Sequence, residues 1–103
     1  MKFLILMKHR EAAAVLEDPV AANKAAREAL KAGLADGSMD CVYQFADGRR
    51  AVVIANAASA EEVWEMLTSY PLHPLQEYEV HPLVDIDYVF RRSLERMEEA
   101  AET

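Results

Sequence analysis

The sequence predicts one α+β domain, and three features favour this fold class. Residues 1–8 form an apolar run with the length of a strand that is buried on both faces. Two segments in which the side chains alternate as in a strand flank Asp47-Gly48. This dipeptide is a strong hairpin signal, because both residues tolerate a positive φ. Segments with helical spacing lie before and after this hairpin. A length of 103 residues provides for one hydrophobic core but not for two.

The composition limits the classes of partner. A chain that is 52% hydrophobic folds into a globular domain rather than remaining disordered. The net charge of −7 disfavours nucleic acid and anionic membranes, which bind clustered Lys and Arg. The apolar N-terminus is followed at once by Lys8-His9-Arg10 and lacks a small-residue cleavage site, so it predicts a strand rather than a signal peptide. We therefore expect a cytoplasmic protein, no nucleic-acid or membrane partner, and either a small-molecule ligand or a second copy of the chain.

A helix is predicted over residues 19–34. Asp18 is its expected N-cap, and Pro19 fits the first helical position. Gly33 and Gly37 are expected to end the helix. Residues 11–16 predict a separate helical turn, because Asp18-Pro19 interrupts the pattern. The face that packs on the sheet is predicted to be a small-residue stripe of Ala21, Ala25, Ala29 or Leu30, and Leu34.

The hairpin and a second helix follow. Residues 39–46 and 49–56 alternate as two antiparallel strands, and the sole cysteine, Cys41, is expected to be a buried, inert thiol within the first of them. Ser59 and Glu62 form a capping box that begins the second helix. The expected core residues of this helix are Val63, Met66, Leu67 and Tyr70, with Trp64 beside them.

Two prolines then turn the chain into its last strand. Pro71 and Pro74 remove two backbone donors and prevent continuation of the helix before the strand of residues 75–83. Residues 85–101 predict a C-terminal helix with a thin apolar stripe on a charged surface. We expect this helix to lie on a neighbouring surface or on another subunit. The chain thus divides into a domain of residues 1–84 and a helical extension of residues 85–103.

The order strand, helix, strand, strand, helix, strand is that of the ferredoxin-like fold, βαββαβ. Both helices then cover one face of a four-stranded antiparallel sheet. The other face would expose a large apolar patch to water, which the pairing of two sheets would cover. The residues of this patch are Leu4, Leu6, Val52 and Ile54, or their neighbours of opposite parity.

Residues 59–80, SAEEVWEMLTSYPLHPLQEYEV, resemble the C-terminal half of muconolactone isomerases. In that family a Ser-x-Glu helix start leads into a Pro-Leu-x-Pro turn and a strand that ends in Glu-Val. The resemblance extends more weakly back to Met1, so it covers residues 1–84. It implies a dimeric α+β barrel, a homodimer whose dimers assemble further into a closed ring. It also implies a cofactor-independent reaction that moves a proton next to a carbonyl within a lactone ring.

The sequence departs from that family in its first two strands. Leu4 and Leu6 stand where the family has polar His and Lys residues. Met39, Asp40 and Cys41 replace aromatic and basic residues of the second strand. The cavity is therefore expected to be more apolar and less basic, which favours a bulky and less charged substrate.

The candidate site consists of polar residues whose strand parity can direct them into the interior of the dimer. A carboxylate or imidazole enclosed there would have a shifted pKa and could move a proton. Glu79 matches the glutamate of the family's Glu-Val pair, so Glu79 and its neighbour His81 are the candidate catalytic residues. The alternative is that this side of the strand is simply the solvated face of an edge strand. The candidate substrate-binding residues are Tyr43, Gln44, Arg50 and Glu77.

Two functional hypotheses remain open at the level of sequence. The first is a cofactor-independent isomerase that moves a proton next to a carbonyl in a small cyclic metabolite. The second is a non-catalytic ligand-binding or assembly protein of the same fold. The sequence has no phosphate-binding or nucleotide motif, and its three histidines lack metal-ligand spacing, so neither a cofactor nor a metal is expected. An enclosed pocket would favour the first hypothesis, and a filled interior would favour assembly.

Overall fold

The computed structural model describes residues 1–10 and 16–102. They form a four-stranded antiparallel sheet in the order β2-β3-β1-β4, which confirms the predicted α+β, ferredoxin-like arrangement. The helical turn predicted over residues 11–16 falls almost entirely outside the described residues. The elements are β1 (Lys2–His9), α1 (Pro19–Asp36), β2 (Met39–Gln44), β3 (Arg50–Asn56), α2 (Ala60–Thr68), β4 (Gln76–Leu83) and α3 (Ile86–Glu102), with a short 3-10 turn (His73–Leu75) before β4.

Strand β1 lies at the centre of the sheet, between β3 and β4. Its central residue, Ile5, is directly opposite Val53 on one side and Val80 on the other. Because opposite residues of an antiparallel pair share a face, every second residue of β1 points towards the helices. This helix-covered face contains the core, whose buried residues are Phe3, Ile5, Met7, Val53, Ala55, Ala57 and Val63.

Helix α1 begins and ends as its sequence predicts. The side chain of Asp18 accepts a hydrogen bond from the Ala21 amide at 3.0 Å, and Pro19 occupies the first turn. Gly37 ends the helix with a φ of +83°, a left-handed conformation that favours glycine. Gly33, which was expected to help end the helix, instead lies within its last turns and is buried.

The predicted stripe of α1 was correct at Leu30, given as the alternative to Ala29, and wrong by one residue at its other positions. The side that faces the sheet contains Ala22, Ala26, Leu30 and Gly33, whereas Ala21, Ala25, Ala29 and Leu34 are exposed. A Cβ atom at Gly33 would lie 2.0 Å from Cε of Met39. Helix α1 therefore approaches the start of β2 at Gly33, which has no side chain. This close contact sets the rotation of α1 about its own axis.

Helix α2 confirms its predicted cap and apolar face. The Glu62 amide donates to Oγ of Ser59 at 3.2 Å, and the Glu62 carboxylate accepts from the Ala58 amide at 2.6 Å. The two bonds satisfy amides at the start of the helix that have no partner within it. Val63 is buried against the sheet, and Trp64 is 62% exposed on the side of the helix.

The hairpin between β2 and β3 turns at the predicted Asp47-Gly48. Gly48 has a φ of +76°, and its amide donates to the carbonyl of Phe45 at 2.8 Å. The side chain of Asp47 accepts from the Arg49 amide at 2.9 Å. The turn thus includes more residues than the sequence predicts, and β2 ends at Gln44 instead of at residue 46.

Helix α3 extends away from the rest of the chain. The molecule is 66 Å long and 29 × 26 Å across, and its radius of gyration is 18.0 Å. A compact chain of this length would have a radius of gyration of about 13 Å. No residue of α3 is buried, and α3 packs extensively on no other described element.

Tyr78 of β4 connects the core to the turn that precedes the strand. Its ring stacks on His73 with the centroids 5.6 Å apart, and its hydroxyl lies 3.3 Å from Nδ1 of His73. The same hydroxyl donates to the carbonyl of Leu67 at 3.4 Å. Burial, with a smaller contribution from the neighbouring phenol of Tyr70, raises the pKa of Tyr78 to about 12.

This shifted pKa predicts a loss of stability at alkaline pH. In the unfolded chain a tyrosine has a pKa of about 10, so the stabilisation from neutral Tyr78 is complete below that pH. It is lost as the pH rises through the folded value of about 12, because the unfolded chain releases its proton first. Urea unfolding at a series of alkaline pH values should show the free energy of unfolding falling less steeply in Tyr78→Phe than in the wild type. An equal slope in the two proteins would contradict the assignment, and Tyr43→Phe, on an exposed side chain, is the matched control.

Candidate functional site

The sheet has an open face, defined as the side away from α1 and α2. Its centre is apolar, because Leu6 lies opposite Val52 and Leu4 lies opposite Ile54. These four side chains are only half-buried in the single chain. Cys41, which pairs with Ile54, is also half-buried on this face. The centre of the open face is therefore apolar, and its polar groups lie at the two ends.

A row of charged residues crosses three strands at one end of the open face. Lys8 of β1 is directly opposite Arg50 of β3 and also directly opposite Glu77 of β4. The Lys8 ammonium lies 3.5 Å from the Glu77 carboxylate. Within this row, one carboxylate thus accompanies two neighbouring cations.

A pocket of about 370 Å³ lies beside this charged row. Glu79, which is opposite Leu6, lines the pocket next to Glu77. Nε2 of His81 lies 3.7 Å from the Glu79 carboxylate, a distance at which a protonated imidazole forms an ion pair with it. The side chains of Glu79 and His81 are 63% and 52% exposed in the single chain. The residues that line the pocket are Leu6, Met7, Lys8, Arg50, Glu77, Tyr78 and Glu79.

The opposite end of the open face is a closed network of polar side chains. The Lys2 ammonium donates to the Asp40 carboxylate at 2.5 Å and to the Asn56 amide oxygen at 2.9 Å. The Asn56 side chain in turn donates to Asp40 at 2.7 Å. The bond from Lys2, followed by that from Asn56, lowers the pKa of Asp40. Since these groups satisfy one another, this end offers fewer free groups for a ligand than the Lys8 end does.

The structure brings four of the six predicted site residues together. Arg50, Glu77 and Glu79 line one pocket, and His81 contacts Glu79 from the same face. Tyr43 is also on the open face, but it lies on β2, at the far side of the sheet from β4.

Gln44 is not brought to the open face. It pairs with Ala51, and Ala51 is opposite Met7 on the helix-covered side of the sheet. Consecutive residues of a strand point to opposite faces, so Tyr43 and Gln44 cannot share one. Gln44 lies instead at the rim, near Gly48 of the hairpin. There it lines a second cavity, of about 380 Å³, together with Tyr43 and Arg50.

Lys8 is the site residue that the sequence analysis missed. It stands at the end of an apolar run beside His9 and Arg10, where a solvated loop is the simplest interpretation. The signal that could have identified it is the register of β1 with β3 and β4, which places Lys8 between Arg50 and Glu77. That register pairs residues that are distant in the sequence, so a local sequence pattern cannot predict it.

Two kinds of feature are absent from the described part of the chain. Within residues 1–10 and 16–102, no group of three or more His, Cys, Asp or Glu side chains is arranged to hold a metal ion. Over the same ranges, no helix has both the length and the apolar character needed to cross a membrane. The charged groups that line the pocket are the carboxylates of Glu77 and Glu79 and the cations of Lys8 and Arg50, beside the apolar Leu6 and Met7.

The fold agrees with the comparisons to known proteins. Residues 1–86 match the family model described as muconolactone delta-isomerase, so the chain belongs to that family. The crystal structure of muconolactone isomerase at 3.3 Å resolution superimposes with a TM-score of 0.67 and 22% sequence identity. The match covers 82% of this chain and 90% of that one, and at this identity it establishes a shared fold. The search of curated proteins found no match.

The family match confirms the resemblance that the segment of residues 59–80 indicates. It ends at residue 86, so nearly all of α3 lies outside the family model. The division into a domain of residues 1–84 and a C-terminal extension remains a prediction.

Proposed function

We propose that this protein is a cofactor-independent isomerase that moves a proton next to a carbonyl in a small cyclic metabolite bearing a carboxylate. The observation that supports the proposal best is the position of Glu79 in the same pocket as Lys8 and Arg50. A base beside a cationic end meets the minimum requirement for this chemistry, in which no electron carrier takes part. The membership of the chain in the muconolactone delta-isomerase family also favours this reaction.

Glu79 is the proposed proton carrier. Its carboxylate takes a proton from the carbon beside the carbonyl, and the electrons of that C–H bond shift the double bond. The resulting carboxylic acid then returns the proton to a different carbon, so substrate and product have the same atoms and the same oxidation state. His81, 3.7 Å from Glu79, is suited to orient the carboxylate between these two steps.

Lys8 and Arg50 are proposed to bind the negative groups of the substrate. They adjoin each other across β1 and β3, and the ion pair with Glu77 is made by Lys8. Arg50 has no ion pair to a side chain of the described residues at salt-bridge distance. Its guanidinium is therefore free to bind a substrate carboxylate through two parallel hydrogen bonds. The expectation of a less basic site rested on residues 4 and 6 of the first strand and 39–41 of the second, and the proposed cations come from different positions.

The apolar centre of the open face suits the body of such a substrate, and a second copy is proposed to close the site. A patch that includes Leu4, Leu6, Val52 and Ile54 is costly to expose, and pairing it with the same patch of a homodimer removes it from water. Closure would also exclude water from Glu79, which is largely exposed in the single chain. The expected cytoplasmic location and the ring of dimers remain predictions.

The competing proposal is a non-catalytic protein that binds a ligand or only assembles. The exposure of Glu79 and His81 in the single chain favours it, because a solvated carboxylate is an ordinary surface group. The two proposals differ in whether Glu79 exchanges a proton with a bound ligand.

We expect Glu79→Gln to abolish proton transfer while leaving ligand binding intact. The substitution keeps the shape of the side chain and removes its basicity, and general-base catalysis typically contributes about 10²–10⁴-fold. The measurement is proton NMR of a muconolactone probe incubated with the full chain in D₂O, which follows both exchange and isomerisation. A loss of at least about 10²-fold in exchange is the expected result.

The matched control is Glu61→Gln, which makes the same change on the exposed surface of α2. It should leave the rate unchanged. If Glu79→Gln retained the wild-type rate, Glu79 would not be the proton carrier. If the wild type bound the probe, as judged by line broadening, yet catalysed no exchange, the ligand-binding proposal would replace the isomerase.

A further inference from the structure

Helix α3 has an apolar stripe that its own chain leaves uncovered. Phe90, Leu94 and Met97 are 62%, 56% and 66% exposed, and with Ala101 they recur at intervals of four, three and four residues. This spacing places them along one side of the helix, as in the seam of a coiled coil. One large apolar residue in each turn makes this stripe thin, as the sequence predicts.

The helix also needs a partner for its own stability. It has 17 residues, and isolated helices of about this length are marginal in water. Neither the sheet nor α1 and α2 pack extensively against it. Covering the stripe would therefore stabilise both the helix and its apolar side chains.

The basic residues of α3 lie in its middle, between Asp87 in the first turn and an acidic C-terminal end. Its three basic residues are Arg91, Arg92 and Arg96, whereas Glu98, Glu99 and Glu102 occupy the end of the helix. Arg91 lies 5.5 Å above the ring of Tyr88, and Arg92 forms an ion pair with Glu95, so both cations are ordered on the helix surface. Two such helices in antiparallel orientation would place the basic half of each beside the acidic half of the other.

Within such a pair, one border of the stripe makes a specific contact. Arg91 follows Phe90 and Glu98 follows Met97, so the two charged residues occupy the same border seven residues apart. In an antiparallel pair, residues on equivalent borders face each other, so Arg91 of each helix meets Glu98 of its partner. Leu94 then packs on the partner's Met97.

We infer that α3 binds α3 of a second copy of this chain, in antiparallel orientation, through an interface separate from the open face. The helix suits this occupant better than a membrane surface, because it has five acidic residues and only three basic ones. The charges of one α3 complement those of a second α3 in antiparallel orientation, where Arg91 meets Glu98. The interface is independent of the proposed isomerase activity, and it either reinforces the dimer or links one dimer to another.

The test is a charge exchange in the full chain, followed by sedimentation over a range of concentrations. Arg91→Glu with Arg92→Glu leaves Arg96 as the one basic residue of α3, and Glu98→Arg with Glu99→Arg makes the helix predominantly basic. Either variant alone should need about tenfold more protein than the wild type to reach the same average mass. An equimolar mixture should return to wild-type behaviour, because each altered half then meets its opposite charge. The control is Arg27→Glu with Lys31→Glu, the same change in charge on an exposed part of α1, which should not alter association.

Two results would overturn the inference. One is association of both charge variants at the wild-type concentration, which would show that the charges of α3 face only water. The other is a mixture that associates no better than its components while Leu94→Glu still weakens association. In that case the stripe of α3 would cover some other surface, and the antiparallel helix pair would be wrong.

Discussion

The antiparallel pairing of β1 with both β3 and β4 is the constraint on which the rest of the structure depends. Side chains alternate between the two faces of β1, and both sets are apolar, with Ile5 on the helix-covered side and Leu4 and Leu6 on the open side. Helices α1 and α2 cover only one face. A central strand that is apolar on both faces therefore leads to a sheet that needs a second covering layer, and the proposed homodimer supplies it.

The same pairing builds the candidate site. Because β1 is held in register with both neighbours, the charged residue at its end, Lys8, lies between Arg50 and Glu77. One step along the sheet, Leu6 lies between Val52 and Glu79. Charged side chains thus lie next to an apolar surface within a single pocket. Because β4 is an edge strand, the Glu79 carboxylate is accessible to a ligand. A shift of one residue in this register would move Glu79 to the helix-covered face.

Local patterns in the sequence were sufficient to predict the elements of the fold. The caps at Asp18 and Ser59, the turn at Asp47-Gly48 and the double proline before β4 each act within a few residues, so their signals can be recognised without the tertiary structure. The rotation of α1 could not be predicted in this way. Alanines occur on several sides of that helix, and the contact of Gly33 with Met39 determines which side is buried.

The site was predicted in part, for a similar reason. Strand parity identifies Glu77, Glu79 and His81 as one set, and that set is correct because parity is a local property. The choice of strand neighbours and their register depends on long-range pairing, which explains why Lys8 was missed. The outward projection of α3 is likewise a tertiary property, because its stripe could equally have packed on its own domain.

The reactivity of Cys41 provides the most direct test of the central claim, that a second copy covers the open face. Cys41 is the sole cysteine, and it lies on that face opposite Ile54. If two open faces pair, the rate at which a thiol reagent labels Cys41 should be far below that of the urea-unfolded chain at high protein concentration. It should then rise as dilution separates the copies. A labelling rate that is close to that of the unfolded chain and independent of protein concentration would contradict the account.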